Sequence, residues 1–290
     1  MDSAMTALAL SESIGGTRTA ALRLGGVVGE QQVRRRRELT ARADLGPDLT
    51  VPVEEFAPFH PRGPRAVGRP NSPADGTYSE AMNELYRRLG AIGVRWVFTG
   101  IGGDELCFQR PEERARTGDP WNLHPAPGHL GPRARDLLPT IADDLAPASV
   151  LHASTLAALA VHSATAMRHG LWPVSPLATP LVLRFGESLP LVWRRGKRLM
   201  RVRLARAGYS REVIRPPLRE DFAGTCETAM LRHGLPLLSQ WLPGSVLVRQ
   251  RLLDPRTLRA ECAAASATTR GAAELYRPLA LVAALRSLGG

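Results

Sequence analysis

The segment from Val94 to Leu106 constrains the fold of this chain more than any other. Val94 to Thr99 is a short, largely apolar run that predicts a buried strand, and Gly-Ile-Gly-Gly-Asp-Glu follows it at residues 100–105. Glycines at the end of a strand let bare backbone amides approach phosphate oxygens, and the acids behind them can hold Mg²⁺. The alternative interpretation of the same residues is a tight strand-to-helix turn in which Asp104 caps the helix.

Helices and strands alternate along the first part of the chain. The apolar periodicity predicts helices at residues 4–14, 30–43 and 78–89 and strands at 19–24, 49–56 and 94–99. This order is typical of a parallel sheet with crossover helices, which binds ligands at the carboxyl ends of its strands. The Pro- and Gly-rich stretch 58–73 is expected to be an exposed loop.

The second part of the chain has a different pattern. Residues 112–135 are irregular and rich in proline and glycine, and from Leu137 onward only helices are predicted. We therefore expect an α/β domain over residues 1–135 and a mainly helical region over residues 136–290.

Composition excludes some protein classes. The 290 residues contain no apolar run long enough to span a bilayer, so no membrane partner is expected. No signal peptide is expected either, because Asp2 is acidic and no basic segment leads into an apolar stretch. Cys107, Cys226 and Cys262 are too scattered for a disulfide framework or a paired-cysteine zinc site, which favours a cytoplasmic protein. His124, His129, His162 and His169 form no metal-ligand set and are expected to be structural or exposed.

The formal charge of +11 suits an anionic partner, and almost all of the positive charge is arginine. Lys197 is the only lysine. The run from Arg34 to Arg37 is expected to be a solvated helix face, with nucleic-acid contact as the alternative, and no nucleic-acid partner is predicted.

Several short motifs resemble the synthetase domain of asparagine synthetases. Gly100 to Leu106 is similar to the family's glycine-rich loop followed by Gly-Asp-Glu-Leu, and Gly196 to Arg201 is similar to its Gly-Lys-aromatic-Leu-Leu-Arg. Weaker similarities, in the family's order, lie at residues 69–78, 170–180 and 215–222. The resemblance covers most of the chain and implies a PP-loop ATP pyrophosphatase domain, of the adenine nucleotide alpha-hydrolase-like fold, followed by an α-helical region.

The family also has a pyrophosphate-binding loop, Ser-Gly-Gly-x-Asp-Ser, between its first strand and first helix. Met1-Asp2-Ser3 resembles the last three positions of that loop, so the resemblance implies a truncated start. The alternative is that Asp2 and Ser3 only cap the first helix.

The resemblance assigns roles to particular residues. Asp2 and Asp104 would share the Mg²⁺ that bridges the phosphates of ATP, which suits the preference of this ion for carboxylate oxygens. The residues implied to contact the nucleotide are Ser3, Gly100, Gly102 and Gly103.

The implied catalytic residues are Lys197, Arg201 and Arg219. Lys197 and Arg201 lie one helical turn apart and can face the same anion, although a basic helix end near solvent has the same spacing. Arg219 stands where the family has a lysine, and Ile101 stands where it has an acid or an aromatic hydroxyl. Isoleucine cannot transfer a proton, so adenylate formation is expected to survive better than amide formation.

The resemblance thus implies a ligase that uses ATP to adenylate a carboxylate and then forms an amide, releasing AMP and pyrophosphate. The carboxylate belongs to a small molecule or a peptide. Nothing in the chain resembles the family's glutaminase half, so the nitrogen would come from free ammonia, a separate glutaminase or an amine of the substrate. A macrolactam cyclase of the lasso-peptide type and a degenerate, non-catalytic scaffold that binds a partner are the alternatives.

Overall fold

The computed structural model of the protein describes residues 1–108, 113, 126–144 and 153–289. In the described part the α-helices and strands, in chain order, are α1 (Asp2–Ser13), β1 (Thr19–Arg23), α2 (Gly26–Arg42), β2 (Asp48–Pro52), α3 (Ser79–Ala91), β3 (Trp96–Phe98), α4 (Gly103–Leu106), α5 (Pro132–Asp144), α6 (Ala153–Met167), β4 (Trp172–Val174), α7 (Pro180–Ser188), α8 (Leu191–Arg194), α9 (Arg198–Arg206), α10 (Arg211–Ile214), α11 (Ala223–Ala229), α12 (Leu235–Trp241), α13 (Val246–Arg249), α14 (Pro255–Thr268) and α15 (Tyr276–Ser287). Short 3₁₀ turns lie at Glu54–Phe56, Pro176–Ala178, Arg195–Lys197 and Ala272–Leu275, and a π-helical turn spans Met230–Gly234.

The predicted alternation of helices and strands in the first hundred residues is confirmed, and so is the mixed α/β class. Element ends differ by a few residues: α2 begins at Gly26 rather than at residue 30, and β2 ends at Pro52, before a 3₁₀ turn. Of the predicted irregular segment 112–135, only residue 113 and residues 126–135 are described, and α5 begins within it at Pro132.

The four strands form two pairs. β1 pairs with β2, and β3 pairs in parallel with β4 so that Trp96, Val97 and Phe98 lie opposite Trp172, Pro173 and Val174. The prediction of helices alone after Leu137 is therefore wrong at β4. Three residues between Leu171 and Ser175 are too few for a period-two pattern to be visible in the sequence.

By packing, the chain divides into two compact units that are discontinuous in sequence. The first comprises residues 1–51, 83–123 and 148–220, and the second comprises residues 52–82, 124–147 and 221–290. These units do not follow the predicted boundary at residue 135. The assignment of a nucleotide-binding and a helical region on either side of that boundary stays a prediction.

Each unit has its own apolar core. In the first unit, Leu8 of α1, Leu39 of α2 and Leu204 of α9 are buried together with Tyr209 and Val213. This packing fixes the start of α1 beside the other elements of the unit. The largest fully buried side chains in the core of the second unit are Phe59, Met230, Leu238, Leu242, Leu258, Leu275 and Leu279.

The stretch 58–73 lacks regular secondary structure, as predicted, but it is not exposed throughout. Phe59 is fully buried and Arg65 is 2% exposed. The prediction of an exposed loop is therefore wrong for its first half, because the aromatic ring joins the core of the second unit and Arg65 finds a buried carboxylate in Glu80. Within the described residues, no helix combines the length and apolar character needed to cross a bilayer.

Candidate functional site

The candidate site in the first unit begins where β3 and β4 end. Thr99 follows β3, and its amide continues the pairing by donating to the carbonyl of Val174 at 2.8 Å. Ser175 follows β4, and its hydroxyl lies 2.8 Å from that of Thr99. The carboxyl ends of two parallel strands therefore carry adjacent hydroxyls, at the edge of an α/β sheet where ligands bind.

The glycines after β3 allow other segments to approach that edge. Gly102 has φ of +94° and a side chain there would lie 2.9 Å from the backbone of Leu177. A Cβ on Gly100 would lie 2.4 Å from the amide nitrogen of Ser3, and one on Gly103 would lie 2.4 Å from Cγ of Asp2. Such distances are not tolerated, so glycine is required for the start of α1 to pack here.

Asp2 and Asp104 stand in the first turns of α1 and α4. Neither helix has a side-chain cap, so the structure does not support the alternatives in which Asp2, Ser3 or Asp104 serve as helix caps. Both carboxylates instead contact Lys197. Its Nζ lies 2.7 Å from Oδ1 and 2.5 Å from Oδ2 of Asp2, and 2.6 Å from Oδ1 of Asp104.

The backbone at Lys197 is unusual. Gly196 and Lys197 are both left-handed, with φ of 59° and 55°, and α9 begins at the next residue. A lysine in this conformation costs on the order of 1–3 kcal/mol, which persists only where other contacts impose it. Here the two carboxylates provide those contacts, so Lys197 is more than a basic helix end facing solvent.

Charge and exposure differ among the three groups. The side chain of Asp104 is 70% exposed, whereas those of Asp2 and Lys197 are 16% and 21% exposed. Burial acts to lower the pKa of Lys197, but hydrogen bonds to Asp104 and Asp2 outweigh it, so the pKa is raised above its ordinary value. The ammonium therefore stays charged at neutral pH, and the cluster is open to solvent on the side of Asp104.

Cys107 lies close enough for the charges of Lys197, Asp2 and Asp104 to affect the pKa of its thiol. Burial raises the pKa of its thiol, Lys197 acts in the opposite direction, and Asp2 and Asp104 act with burial. A thiol with a raised pKa is a weak nucleophile, so we assign Cys107 no chemical role. All three cysteines are free thiols.

The other predicted catalytic residues lie outside this contact set. Arg201 donates to the carbonyl of Gly196 at 2.7 Å and to that of Ile214. Burial lowers the pKa of Arg201, and the nearby charges of Arg215 and Arg35 add to the effect. Arg219 is exposed. A role in phosphate binding stays a prediction for Arg201 and Arg219.

Sequence reasoning missed the hydroxyls of the site. Thr6 donates to the carbonyl of Asp2 or of Thr99, both at 3.3 Å, and thus joins α1 to the end of β3. The amide of Ile101 donates to the Thr99 hydroxyl at 3.3 Å. The position of Thr99 at the end of the predicted strand 94–99 was a usable signal, whereas Ser175 could not be found because β4 was not predicted.

The remaining sequence-based candidates have structural roles or lie elsewhere. His129 is buried and lies 2.7 Å from Glu261, and Nε2 of His169 lies 2.9 Å from the side-chain oxygen of Asn83. His124 lies outside the described residues, and His162 is on α6.

The run of arginines on α2 is less solvated than predicted. Arg34 pairs with Glu212 at 2.9 Å, and Arg36 pairs with Asp48. Arg35 is largely buried and pairs with Glu220, so the prediction of a solvated face is wrong there. These arginines connect α2 to other segments of the first unit.

Asp2 and Asp104 are the carboxylates of this site that could bind a divalent metal. Over residues 1–108, 113, 126–144 and 153–289, no three or more His, Cys, Asp or Glu side chains gather as a ready ligand set. Asp2 and Asp104 nevertheless converge on one cationic atom. Two carboxylates with further positions left to water and phosphate are the usual protein contribution to a Mg²⁺ site, so these residues fit that ion.

No protein-family model matches the chain, and no curated protein matches it significantly.

Proposed function

We propose that this protein is an asparagine synthetase-like ligase that uses ATP to adenylate a carboxylate and then forms an amide. The observation that carries the proposal is the convergence of Asp2, Asp104 and Lys197 beside the glycine loop at the carboxyl end of the β3–β4 pair. The carboxylates can bind a metal ion, and the ammonium and the glycine backbone amides can bind phosphate oxygens. Their position at the carboxyl ends of parallel strands suits a metal-bound polyphosphate.

In this proposal Asp2 and Asp104 hold Mg²⁺ and thereby keep ATP in the site. The ion, when bound, neutralises phosphate charge and favours departure of pyrophosphate. The fold class that goes with this role is a PP-loop ATP pyrophosphatase domain. Gly100, Gly102 and Gly103 offer backbone without side chains, and Ser3 packs against this loop.

The chemistry has two steps. A carboxylate oxygen of the substrate attacks the α-phosphorus of ATP, the bond to the bridging oxygen of pyrophosphate breaks, and pyrophosphate leaves. The nitrogen of ammonia or an amine then attacks the acyl carbon, loses a proton, and AMP leaves with the former carboxylate oxygen. Positioning and charge stabilisation by Lys197, with Arg201 and Arg219 as further candidates, are the protein's main contribution.

The second step has less support than the first. Ile101 has no proton to give or accept, so deprotonation of the amine falls to another group or to the substrate. An amine already present on the substrate, as in a macrolactam-forming cyclase, needs no separate ammonia supply. A glutaminase partner and a cytoplasmic location stay predictions.

The test measures ATP binding and AMP formation by the full chain. Equilibrium dialysis with [α-³²P]ATP and Mg²⁺ gives binding, and thin-layer separation gives AMP when aspartate and ammonium, or peptide carboxylates, are added. Asp104→Asn and Lys197→Met are each expected to lower AMP formation about 100-fold or more, since each removes a charge next to the phosphates.

Asp136→Asn is the matched control, because Asp136 is an exposed acid on α5 whose loss should leave the rate unchanged. Binding without AMP formation for every carboxylate tested would favour the non-catalytic scaffold. Absence of ATP binding by the folded wild-type chain would refute the proposal.

A further inference from the structure

Lys197 stands where a metal ion would have to stand to be shared by Asp2 and Asp104. Its ammonium contacts both oxygens of Asp2 and one oxygen of Asp104 within 2.7 Å. The two carboxylates thus already share one cation. A second cation contacting the same oxygens would lie beside the ammonium, and the two positive charges would repel each other strongly in this partly buried place.

We propose that Lys197 is a built-in placeholder for the divalent metal. Its ammonium leaves the two carboxylates when the metal–nucleotide complex binds and then pairs with a phosphate oxygen. Free metal alone does not displace it. This inference rests on the proposed function, because it names how the same site takes the metal and the phosphates of ATP.

The charges favour exchange by the complex over exchange by the bare ion. Removing Lys197 from two carboxylates leaves its ammonium without a partner in a site where it is only 21% exposed, which is costly. A polyphosphate arriving with the metal supplies that partner at the same moment. The compact ammonium on a flexible four-carbon stem can pair with either group, which a planar guanidinium does less readily.

The local backbone suits such a movement. Gly196 and Lys197 hold left-handed conformations, and a side chain added at Gly196 would meet no atom within 4 Å. Left-handed backbone at a lysine is unfavourable and is maintained by the contacts of the ammonium. Release of the ammonium removes the contacts that impose this conformation on Lys197, whereas the carbonyl of Gly196 stays hydrogen-bonded to Arg201.

The first experiment measures binding of Mn²⁺ alone by electron paramagnetic resonance, with no nucleotide present. Wild-type protein is expected to bind weakly, and Lys197→Met is expected to bind about tenfold more tightly or better, because the two carboxylates then have no competing cation. Adding Asp104→Asn to Lys197→Met should abolish the gain, which locates the bound ion.

Arg198→Met is the matched control, since it removes one positive charge from the neighbouring, exposed residue. If both single variants gain equally, the effect is one of overall charge and the placeholder role is wrong. If Lys197→Met binds Mn²⁺ no better than wild type, the placeholder role is also wrong. Circular dichroism confirms folding, and Lys197→Gln replaces Lys197→Met if the latter does not fold.

A second experiment follows Lys197 in the wild-type chain. Because Lys197 is the only lysine, labelling with lysine that carries ¹³C only at Cε gives a single side-chain signal. The signal is expected to stay in place with millimolar Mg²⁺ and to shift when Mg²⁺ and ATP are added together. A shift with Mg²⁺ alone, or no shift while dialysis shows ATP bound, would overturn the inference.

The two experiments separate failure of the inference from failure of the proposed function. If ATP does not bind at all, the proposed function fails, but the Mn²⁺ comparison still decides whether Lys197 competes with a metal. If ATP binds and Lys197→Met gains no metal affinity, the proposed function stands and only the placeholder role fails.

Discussion

Each unit contains a cluster of short ion pairs, and the two clusters differ in their exposure to solvent. In the first unit Lys197 joins Asp2 and Asp104. In the second unit Arg65 joins Glu80, with Nε 2.6 Å from Oε1, and also contacts the hydroxyl of Tyr276. Short distances occur in both clusters, so distance does not distinguish a site from a structural element.

Exposure and satisfaction of the charges do distinguish them. The side chains of Arg65 and Glu80 are 2% and 5% exposed, and the guanidinium lies 4.5 Å from the ring centre of Phe59. The hydroxyl of Tyr276 donates a hydrogen bond to the carbonyl of Asp75 at 2.6 Å. Every charged or polar group of this cluster that these contacts involve has a partner inside the protein, which leaves no unsatisfied charge to bind a ligand.

The Lys197 cluster has the opposite properties. Asp104 is 70% exposed, and the ammonium of Lys197 is shared between two carboxylates, of which Asp2 also interacts with the N-terminal amine. The backbone is left-handed at Lys197, with φ of 55°, and also at Phe59 beside Arg65, with φ of 59°, so backbone strain does not distinguish the two clusters. Access to solvent and an ammonium shared by two carboxylates therefore mark a functional site more reliably than a short ion-pair distance does.

The comparison is tested most severely by Glu80→Gln. If the buried cluster is structural, its disruption leaves a buried guanidinium without a counter-charge and should cost about 3–5 kcal/mol in the free energy of unfolding. Burial acts to lower the pKa of Arg65, but the interaction with Glu80 outweighs burial, so the pKa is raised. The arginine therefore stays charged and cannot avoid the penalty by losing a proton. Urea unfolding followed by circular dichroism measures the loss.

The control is Glu84→Gln on the same helix. Glu84 pairs with Arg87 and Arg88, whose side chains are 57% and 37% exposed, so water replaces the lost partner and the loss should be much smaller. Equal losses for the two variants would mean that burial does not set the importance of these pairs, and the comparison would fail.

Gly103→Ala should have the next largest effect. A methyl group at this position would overlap Cγ of Asp2, so α1 or α4 must move. We expect a loss of about 1–3 kcal/mol in unfolding free energy, as for other overpacked positions, together with loss of ATP binding. Differential scanning calorimetry and the dialysis assay measure the two effects.

Gly224→Ala is the control for glycine replacement in a helix. A side chain at Gly224 meets no atom within 4 Å, so alanine should be neutral or should stabilise by up to about 1 kcal/mol. If Gly103→Ala unfolds like wild type and still binds ATP, the glycine loop is not the rigid support that the site requires.

The two clusters also differ in how far the sequence revealed them. The strand before Gly100 and the acids after it gave a recognisable pattern, and Lys197 stood out as the only lysine. The resemblance then joined Asp2, Asp104 and Lys197 before their positions were known, and the structure brings them together. Each residue stands at or next to the start of a helix, but the resemblance was needed to assign the three to one site, because they are far apart in the sequence.

The Arg65 cluster gave no such signal. Arg65 lies in a stretch of prolines, glycines and arginines that is typical of exposed loops, and its partners are 15 and 211 residues away. Burial of an arginine depends on a core assembled from distant segments, which periodicity cannot reveal. The three-residue strand β4 escaped prediction for a related reason, since it is defined by pairing with β3 rather than by its own pattern.

The smallest effect is expected from pH. Burial raises the pKa of Tyr276 to about 12, from an ordinary value near 10, and Arg65 only partly opposes this. Between pH 10 and pH 12 the native protein therefore holds a proton that the unfolded chain has lost, so this residue's contribution to stability is full below pH 10 and is lost as pH rises toward 12. From pH 9 to pH 11 the loss should be about 1 kcal/mol.

Tyr276→Phe removes this titration and should flatten the pH dependence by that amount. The variant starts from a lower stability, because Arg65 and the Asp75 carbonyl each lose a hydrogen bond, but its stability should fall less between pH 9 and pH 11. Urea unfolding at the two pH values measures the difference, and the other tyrosines cancel because both proteins contain them. An equal fall in wild type and variant would mean that the Tyr276 hydroxyl reaches water, and that the Arg65 cluster is open like the Lys197 cluster rather than closed.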